Sequence, residues 1–521
     1  MAEARHFSVE LKSLNKSFGS VVANSDISLN VKSGTVHAIV GENGAGKSTA
    51  MNMLYGLYTP DSGEILIDGI KKNFHSPADA QQVGLGMVHQ HFSLSEPESV
   101  LDNIILGAEP ILPFSKILPS ACRPIDRNAA KNKLNEIISQ YGLHIDLKSR
   151  VDQLPVGLKQ RVEILKILYR NAKILILDEP TAVLTPQETE FFFENLRKLK
   201  QQGKTILIIT HKLREVLALS DEVSVFCAGR VVGHRSTRDT NEEDLAELMV
   251  GRKVTLYSKP LEIKKEFSEP LLKVENLNVH DSSRTLLSDL SFSVGPGEIV
   301  GIAGVQGNGQ SELEKVLLDP QSFFSAGYAK GKISLSGKDI TTCSTPELFQ
   351  KGAAFVSEDR LKEGLIASQR LDENFLMGLH HFPRFCSKGR IKWKEVEAAT
   401  SDAIKNFHIK APGVEAKASA LSGGNQQKLI IARELCKNPK LLVVAQPTRG
   451  VDIGAIEFIH NKLRELQRAG AGILLISSEL SEILSLSNRI LVFFKGKIVA
   501  EFKSAEASEQ KLGLAMGGVA L

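Results

Sequence analysis

A chain of 521 residues exceeds what one hydrophobic core supports, and 42% hydrophobic against 24% charged residues is the balance of a folded polypeptide. The 64 basic and 60 acidic residues leave a net charge of +4 spread along the chain, which gives no electrostatic basis for nucleic acid as a partner. The five cysteines, Cys122, Cys227, Cys343, Cys386 and Cys436, are far apart and make no CxxC, so neither a disulfide framework nor a zinc site is expected.

Met1–Lys12 carries charges and no apolar h-region, so it does not read as a signal peptide. No stretch of about 18 apolar residues offers a membrane span, and any membrane role is expected through a partner. The first motif follows the strand-like run Val36–Val40 and precedes a predicted helix: Gly41, Glu42, Asn43, Gly44, Ala45, Gly46, Lys47, Ser48 and Thr49 contain G-x-x-x-x-G-K-[ST]. Glycines let backbone N–H groups turn inward around a phosphate, and the helix N-terminus adds partial positive charge. Lys47 supplies a full charge between the β- and γ-phosphates, and Ser48 offers a hydroxyl to Mg²⁺.

Further along, Gln90 in MVHQHF is expected to complete the metal and water contacts. Leu158–Arg170 has the spacing of an amphipathic helix. Lys173–Leu177 is a continuously apolar strand ending in Asp178 and Glu179, at the sheet edge where ligands of α/β folds bind. Asp178 is expected to hold Mg²⁺ directly or through water, and Glu179 to orient the attacking water or accept its proton. His211 closes the next apolar strand and can reach the γ-phosphate from the same edge. His89 and His91, and His380–His381 near Cys386, lack a carboxylate or second cysteine to complete a metal site. Phe92 and Leu94 read either as docking residues or as local core.

The chain then repeats itself. VKSGTVHAIVGENGAGKST (Val31–Thr49) returns as VGPGEIVGIAGVQGNGQSE (Val294–Glu312), so Gly301-x-x-Gly304 reads as a decayed phosphate loop rather than a dinucleotide fingerprint. LPVGLKQR returns as LSGGNQQK (Leu421–Lys428), KILILDEPTAVLTP as the segment from Lys440, and TILIITH as GILLISS (Gly472–Ser478). The offset grows from 263 residues between Lys47 and Gln310 to 267 between His211 and Ser478, which places a small insertion around Gln321–Lys330. Two α/β domains are expected, 5–252 and 269–521, joined by the short polar linker 253–268.

These motifs resemble the ABC transporter ATPases over nearly the whole chain. In that likeness Gly41–Ser48 is the Walker A loop, Gln90 the Q-loop, Asp178–Glu179 the Walker B end, His211 the switch histidine and Leu421–Gln426 the signature motif. Phe18 is similar in place to the aromatic that stacks on adenine. The resemblance implies two tandem P-loop nucleotide-binding domains, each with a mixed-sheet core and a helical subdomain, using ATP and Mg²⁺. It also implies an intramolecular head-to-tail pair in which each Walker A loop faces the other half's signature motif.

Composed this way, site one unites Lys47, Ser48, Gln90, Asp178, Glu179 and His211 with Ser422, Gly423, Gly424 and the D-loop residue Asp452. Site two has Gln310 for the lysine, Glu358 for the glutamine, Ala445 and Gln446 for the acidic pair and Ser478 for the histidine. Facing it are Pro155 and Val156 for Ser-Gly, and Thr185 for the D-loop aspartate. Charge at fixed positions is what phosphoryl transfer needs, so one hydrolytic site is expected.

SEDR (Ser357–Arg360), LSGGNQQK and PTRGVD (Pro447–Asp452) resemble the fused ATPases of sugar importers. AQPTRGVDIGAIEF (Ala445–Phe458) and RVEILKILYR (Arg161–Arg170) look most like the nucleoside importers of that group. The likeness implies two transmembrane permease subunits, a substrate-binding lipoprotein acting indirectly, no nucleic acid, and a peripheral place on the cytoplasmic face of the membrane. A pentose or hexose cargo is the alternative, although those importers more often keep an acidic pair in the second Walker B. Soluble tandem ATPases of ribosomes or DNA repair are the alternative of another class, disfavoured by the short junction, scattered cysteines and degraded second site.

Overall fold

The structure, a computed structural model, describes residues 6–19, 21–89, 93–112, 124–181, 184, 186–253, 260–261, 269–281, 284–305 and 307–518. It forms two compact units, Met1–Val254 and Thr255–Leu521. Most of the expected linker, 254–259 and 262–268, lies outside the described residues.

The strands of the first unit are β1 (Phe7–Phe18), β2 (Val21–Lys32), β3 (Val36–Gly41), β4 (Ser62–Ile67), β5 (Ile70–Lys72), β6 (Leu85–Val88), β7 (Ile174–Asp178), β8 (Thr205–Ile209), β9 (Glu222–Cys227) and β10 (Arg230–Ser236). One sheet has the order β2-β1-β4-β5, with antiparallel neighbours; the other has the order β10-β9-β3-β8-β7-β6, parallel except for β10. Every residue of β3, β6, β7 and β8 is buried. That is why these strands are continuous apolar runs: a parallel strand covered on both faces has no solvent side to alternate toward.

The helical part of this unit contains Val100–Ile105, Arg127–Tyr141 and Val156–Tyr169. Arg127–Tyr141 starts where Asp126 accepts the Ala129 N–H over 2.9 Å, and it stops at Gly142, whose φ of 69° glycine adopts without steric cost. Leu134 and Ile138 of this helix join Val162 and Leu165 of the next in the core that also receives Leu175 and Leu177 of β7.

The second unit repeats the plan with β11 (Leu272–His280), β12 (Thr285–Val294), β13 (Ile299–Ala303), β14 (Ala329–Leu335), β15 (Lys338–Asp339), β16 (Ala353–Val356), β17 (Cys386–Ser387), β18 (Arg390–Ile391), β19 (Leu441–Ala445), β20 (Gly472–Ser477), β21 (Arg489–Phe494) and β22 (Lys497–Lys503). Its sheets run β12-β11-β14-β15 and β16-β19-β20-β13-β21-β22, strand for strand the topology of the first unit's two sheets, and β17 pairs with β18 in a separate two-stranded hairpin. Pairing registers match as well: Val9 faces Ile67, and Leu272 faces Leu335. The insertion falls before β14 and contains the helix Pro320–Ser325, capped by Asp319 with proline in its first turn. Among the described residues, no helix is long and apolar enough to cross a membrane.

Candidate functional site

The first unit's loop Gly41–Ser48 joins β3 to the helix Lys47–Leu54. Gly44 and Gly46 have φ of 81° and 92°, left-handed conformations that a side chain would strain. A Cβ on Gly46 would also stand 2.5 Å from Ala23 O and from Asn24 Nδ2. Asn24, fully buried on β2, holds the loop from behind by donating to Gly46 O over 3.1 Å. Lys47 folds back into the loop, with Nζ donating to Gly41 O at 2.7 Å and Glu42 O at 2.9 Å. Burial pulls the lysine below its ordinary value, against the opposing pull of Glu179, Asp178 and Glu42.

Asp178 ends β7, where burial raises its carboxyl and a hydrogen bond from Ser48 opposes the rise. The Ser48 hydroxyl thus donates to the Asp178 carboxylate beside the loop, and both are hard oxygens of the type Mg²⁺ takes. Glu179 follows in a left-handed conformation, φ 47°, with its N–H bonded to Ile209 O over 2.9 Å. This turn swings the carboxylate off the strand direction to meet His211, whose Nδ1 donates to Oε1 over 2.9 Å. Burial pushes Glu179 up, but the His211 hydrogen bond and the nearby positive charge outweigh it and leave the carboxyl below its ordinary value.

Phe18 stands at the end of β1, 44% exposed, with Tyr58 packed edge-on at a ring-centroid distance of 5.2 Å. Tyr58 and Asn24 were not singled out by sequence; both act through contacts across the fold, and neither belongs to a motif. Glu42, Asn43, Ala45 and Thr49 lie on the loop and the first turn of its helix. Gln90, His91, Phe92 and Thr185 lie outside the described residues. Among the described residues, no three His, Cys, Asp or Glu side chains gather as a metal site.

The second unit keeps this backbone and changes its side chains. Gly307 and Gly309 retain φ of 91° and 109°. Gln310 occupies the lysine's place, buried, with Nε2 donating to Val305 O over 3.3 Å. Gln446 repeats the left-handed φ of 47°, and its N–H bonds Ile476 O over 2.7 Å. Ser478 meets Gln446 as His211 meets Glu179, with Oγ donating to Oε1 over 3.1 Å. Counting on from the matching pairs Leu14–Ile27 and Leu277–Leu290, Asp281 stands where Phe18 does, a further loss that hairpin pairing reveals.

The signature segment lies at the start of the helix Gly423–Cys436, with exposed Ser422 as N-cap and Gly424 buried against Asp452. Ser422 Oγ does not cap the helix; it accepts from Asn425 Nδ2 over 2.9 Å. Asp452 caps the helix Ile453–Arg468 by accepting the Ala455 N–H over 2.7 Å. In the first unit Pro155 precedes the helix Val156–Tyr169 in the same place and offers no hydroxyl.

The ABC transporter family profile matches residues 24–182 and again 287–449. The chain is 43% identical to the guanosine import ATP-binding protein NupO of Bacillus subtilis, over 98% of this chain and 97% of that one. It is 40% identical to the nucleoside import ATP-binding protein NupA of Lactococcus lactis subsp. cremoris, over 98% of each. The glucose import ATP-binding protein TsgD13 of Haloferax volcanii is also 40% identical, over 98% of this chain and 96% of that one. Among solved structures, an archaeal ribosome recycling factor in complex with a ribosomal stalk protein aligns with a TM-score of 0.63 at 19% identity, covering 94% of this chain and 90% of that one. That likeness shows a shared fold and nothing more.

Proposed function

The chain belongs to the ABC transporter family, and from that premise we propose that it energises nucleoside import with a single hydrolytic site built around Lys47, Asp178, Glu179 and His211. It is an ATP-binding import subunit and an ATPase, and such subunits work with membrane permeases. The observation that carries the one-site reading is that two backbones of one conformation present opposite chemistry. Glu179 meets His211 in the first unit, and Gln446 meets Ser478 in the second.

In this reading the Lys47 loop binds ATP, and Ser422, Gly423, Gly424 and Asp452 contribute to its hydrolysis. Phe18 receives the adenine, and the loop N–H groups of Gly41–Thr49 and the Lys47 ammonium bind the phosphates. Ser48 and Asp178, with Gln90, would hold Mg²⁺, which supplies charge neutralisation between the β- and γ-phosphates. Glu179 orients a water and takes its proton, while His211 holds the carboxylate and can itself face the γ-phosphate. Gln446 can hydrogen-bond a water but cannot take its proton, and Ala445 offers no metal ligand.

The partners are two transmembrane permease subunits, with a substrate-binding lipoprotein delivering cargo on the other side and the chain lying peripherally on the cytoplasmic face. Nucleoside cargo is favoured because guanosine and nucleoside import proteins are among the relatives matched end to end; the glucose import relative keeps a sugar as the second reading. Reconstituting the whole transporter in liposomes decides between them. Nucleoside-loaded binding protein should stimulate ATP hydrolysis several-fold where pentose and hexose do not, and the reverse pattern would replace nucleoside with sugar.

A further inference from the structure

Beside the second unit's phosphate loop runs a connected polar chain. Ser311, next to Gln310, donates to Glu358 Oε2 over 2.9 Å. Arg449 Nη1 donates to the other oxygen, Glu358 Oε1, over 2.8 Å. The main-chain carbonyl of the same Arg449 accepts from Arg360 Nη1 over 2.8 Å. Arg360 Nη2 then lies 2.5 Å from where Gly423 would carry a Cβ, and Gly450 O lies 3.0 Å from that point. Arg360 opens a single wide turn, Arg360–Gly364, whose far end is held to the signature helix by Arg433 Nη1 donating to Gly364 O over 2.9 Å.

We propose that Arg360 is a positioning residue for the signature segment Ser422–Gly424, locking Gly423 against the turn Arg449–Gly450, and that Glu358 and Ser311 tie this lock to the non-hydrolytic phosphate loop. The proposal rests on the function proposed above, in which that segment contributes to ATP hydrolysis. A glycine-rich helix start has few side-chain contacts of its own, so its catalytic placement depends on what packs against it.

Helix stability does not account for the arrangement. A cation at a helix N-terminus stands at the unfavourable end of the dipole. Burial, and then Arg449, depress the basicity of Arg360, and its buried Nε finds no acceptor among the described residues. The sequence supplies a second, independent observation. In the first half, Phe92 and Ala182 occupy the places of Arg360 and Arg449, and that half has Pro155-Val156 where the second has Ser422-Gly423. Both arginines accompany the intact Ser-Gly-Gly and are absent from the half that lacks it.

The test uses the assembled transporter carrying Arg360→Ala, Arg360→Lys or Ser422→Ala, with ATPase kinetics, ADP affinity, vanadate trapping of ADP and melting midpoint all measured. Arg360→Ala should lower kcat and vanadate trapping about tenfold while ADP affinity and melting midpoint hold. Arg360→Lys should recover little, since a point charge cannot reach the Arg449 carbonyl and Gly423 together. Wild-type kcat in Arg360→Ala alongside a slowed Ser422→Ala would overturn the proposal and leave the segment's part in hydrolysis standing. Wild-type kcat in both would overturn that part and the proposal with it. Should Arg360→Ala lower the melting midpoint, Glu358→Gln carries the test from the far end of the chain: a loss of about threefold in kcat with KM unchanged supports the lock, and an unchanged kcat overturns it.

Discussion

His211 Nδ1 lies 2.9 Å from Glu179 Oε1, a hydrogen bond that joins the ends of two adjacent parallel strands and holds the Glu179 carboxylate in place. Glu179→Gln keeps the shape and removes the base, so kcat should fall by about 10²–10⁴-fold. Gln446→Ala, at the same left-handed position of the second unit, should leave kcat within about twofold. Steady-state phosphate release checks both, and equal losses would mean that the two units share the chemistry.

Restoring one charge should not restore the second site. Gln310→Lys returns an ammonium to a loop whose glycines already have the required conformation, yet Ala445, Gln446, Ser478 and Asp281 remain. Burst-phase counting should still find about one ATP hydrolysed per molecule. A count near two would show that the lysine alone was limiting.

Phe18 and Asp281 predict an asymmetry in base binding. A stacked aromatic is worth about 1–3 kcal/mol per base, so Phe18→Ala should raise the KM for ATP about tenfold with kcat little changed. Asp281→Ala, at the matching hairpin end, should leave KM where it was. Titrating ATP against each variant separates the cases; equal effects would deny Phe18 its role.

Glu314 lies on the second unit's loop helix where the first unit has buried Met51, and it anchors the turn Ser357–Glu358. Burial raises its carboxyl from 4.5 to about 7, with Glu363 and Glu358 adding to the rise and hydrogen bonds from Ser357 and the Glu358 backbone opposing it. The folded value lies above the unfolded one, so the ionised form is the disfavoured one in the fold. The contribution to stability is therefore fully present below 4.5 and is lost as pH rises to about 7, a fall of roughly 3 kcal/mol. Glu314→Gln should flatten this fall, raising the melting midpoint at pH 8 more than at pH 5. An equal shift at both pH values would place the effect in packing instead.

Much of this protein was legible in its residues. Phosphate chemistry demands particular side chains at fixed spacing on one strand, loop and helix, so Gly41–Thr49, Asp178, Glu179 and His211 declare themselves locally, and the repeat shows which copy lost them. Parallel strands buried on both faces are uninterrupted apolar runs, which made the sheet visible too. The shape of each residue's contribution was not legible. That Glu179 and Gln446 share a left-handed turn bonded to Ile209 and Ile476 depends on strand pairing. That Asp281 stands in the place of Phe18 shows in the hairpin registers, which match pair for pair between the two units.

By itself, then, the order of residues determined the family chemistry, the duplication and the inequality of its halves. Tertiary structure alone decided how Asn24 holds the loop, how Tyr58 backs Phe18, and how Ser311, Glu358, Arg449 and Arg360 connect the second unit's phosphate loop to the segment around Gly423. The reason is physical: motif chemistry is a matter of neighbours along the chain, whereas support is a matter of neighbours in space, and residues such as Arg360 and Arg449 meet across 89 positions of sequence.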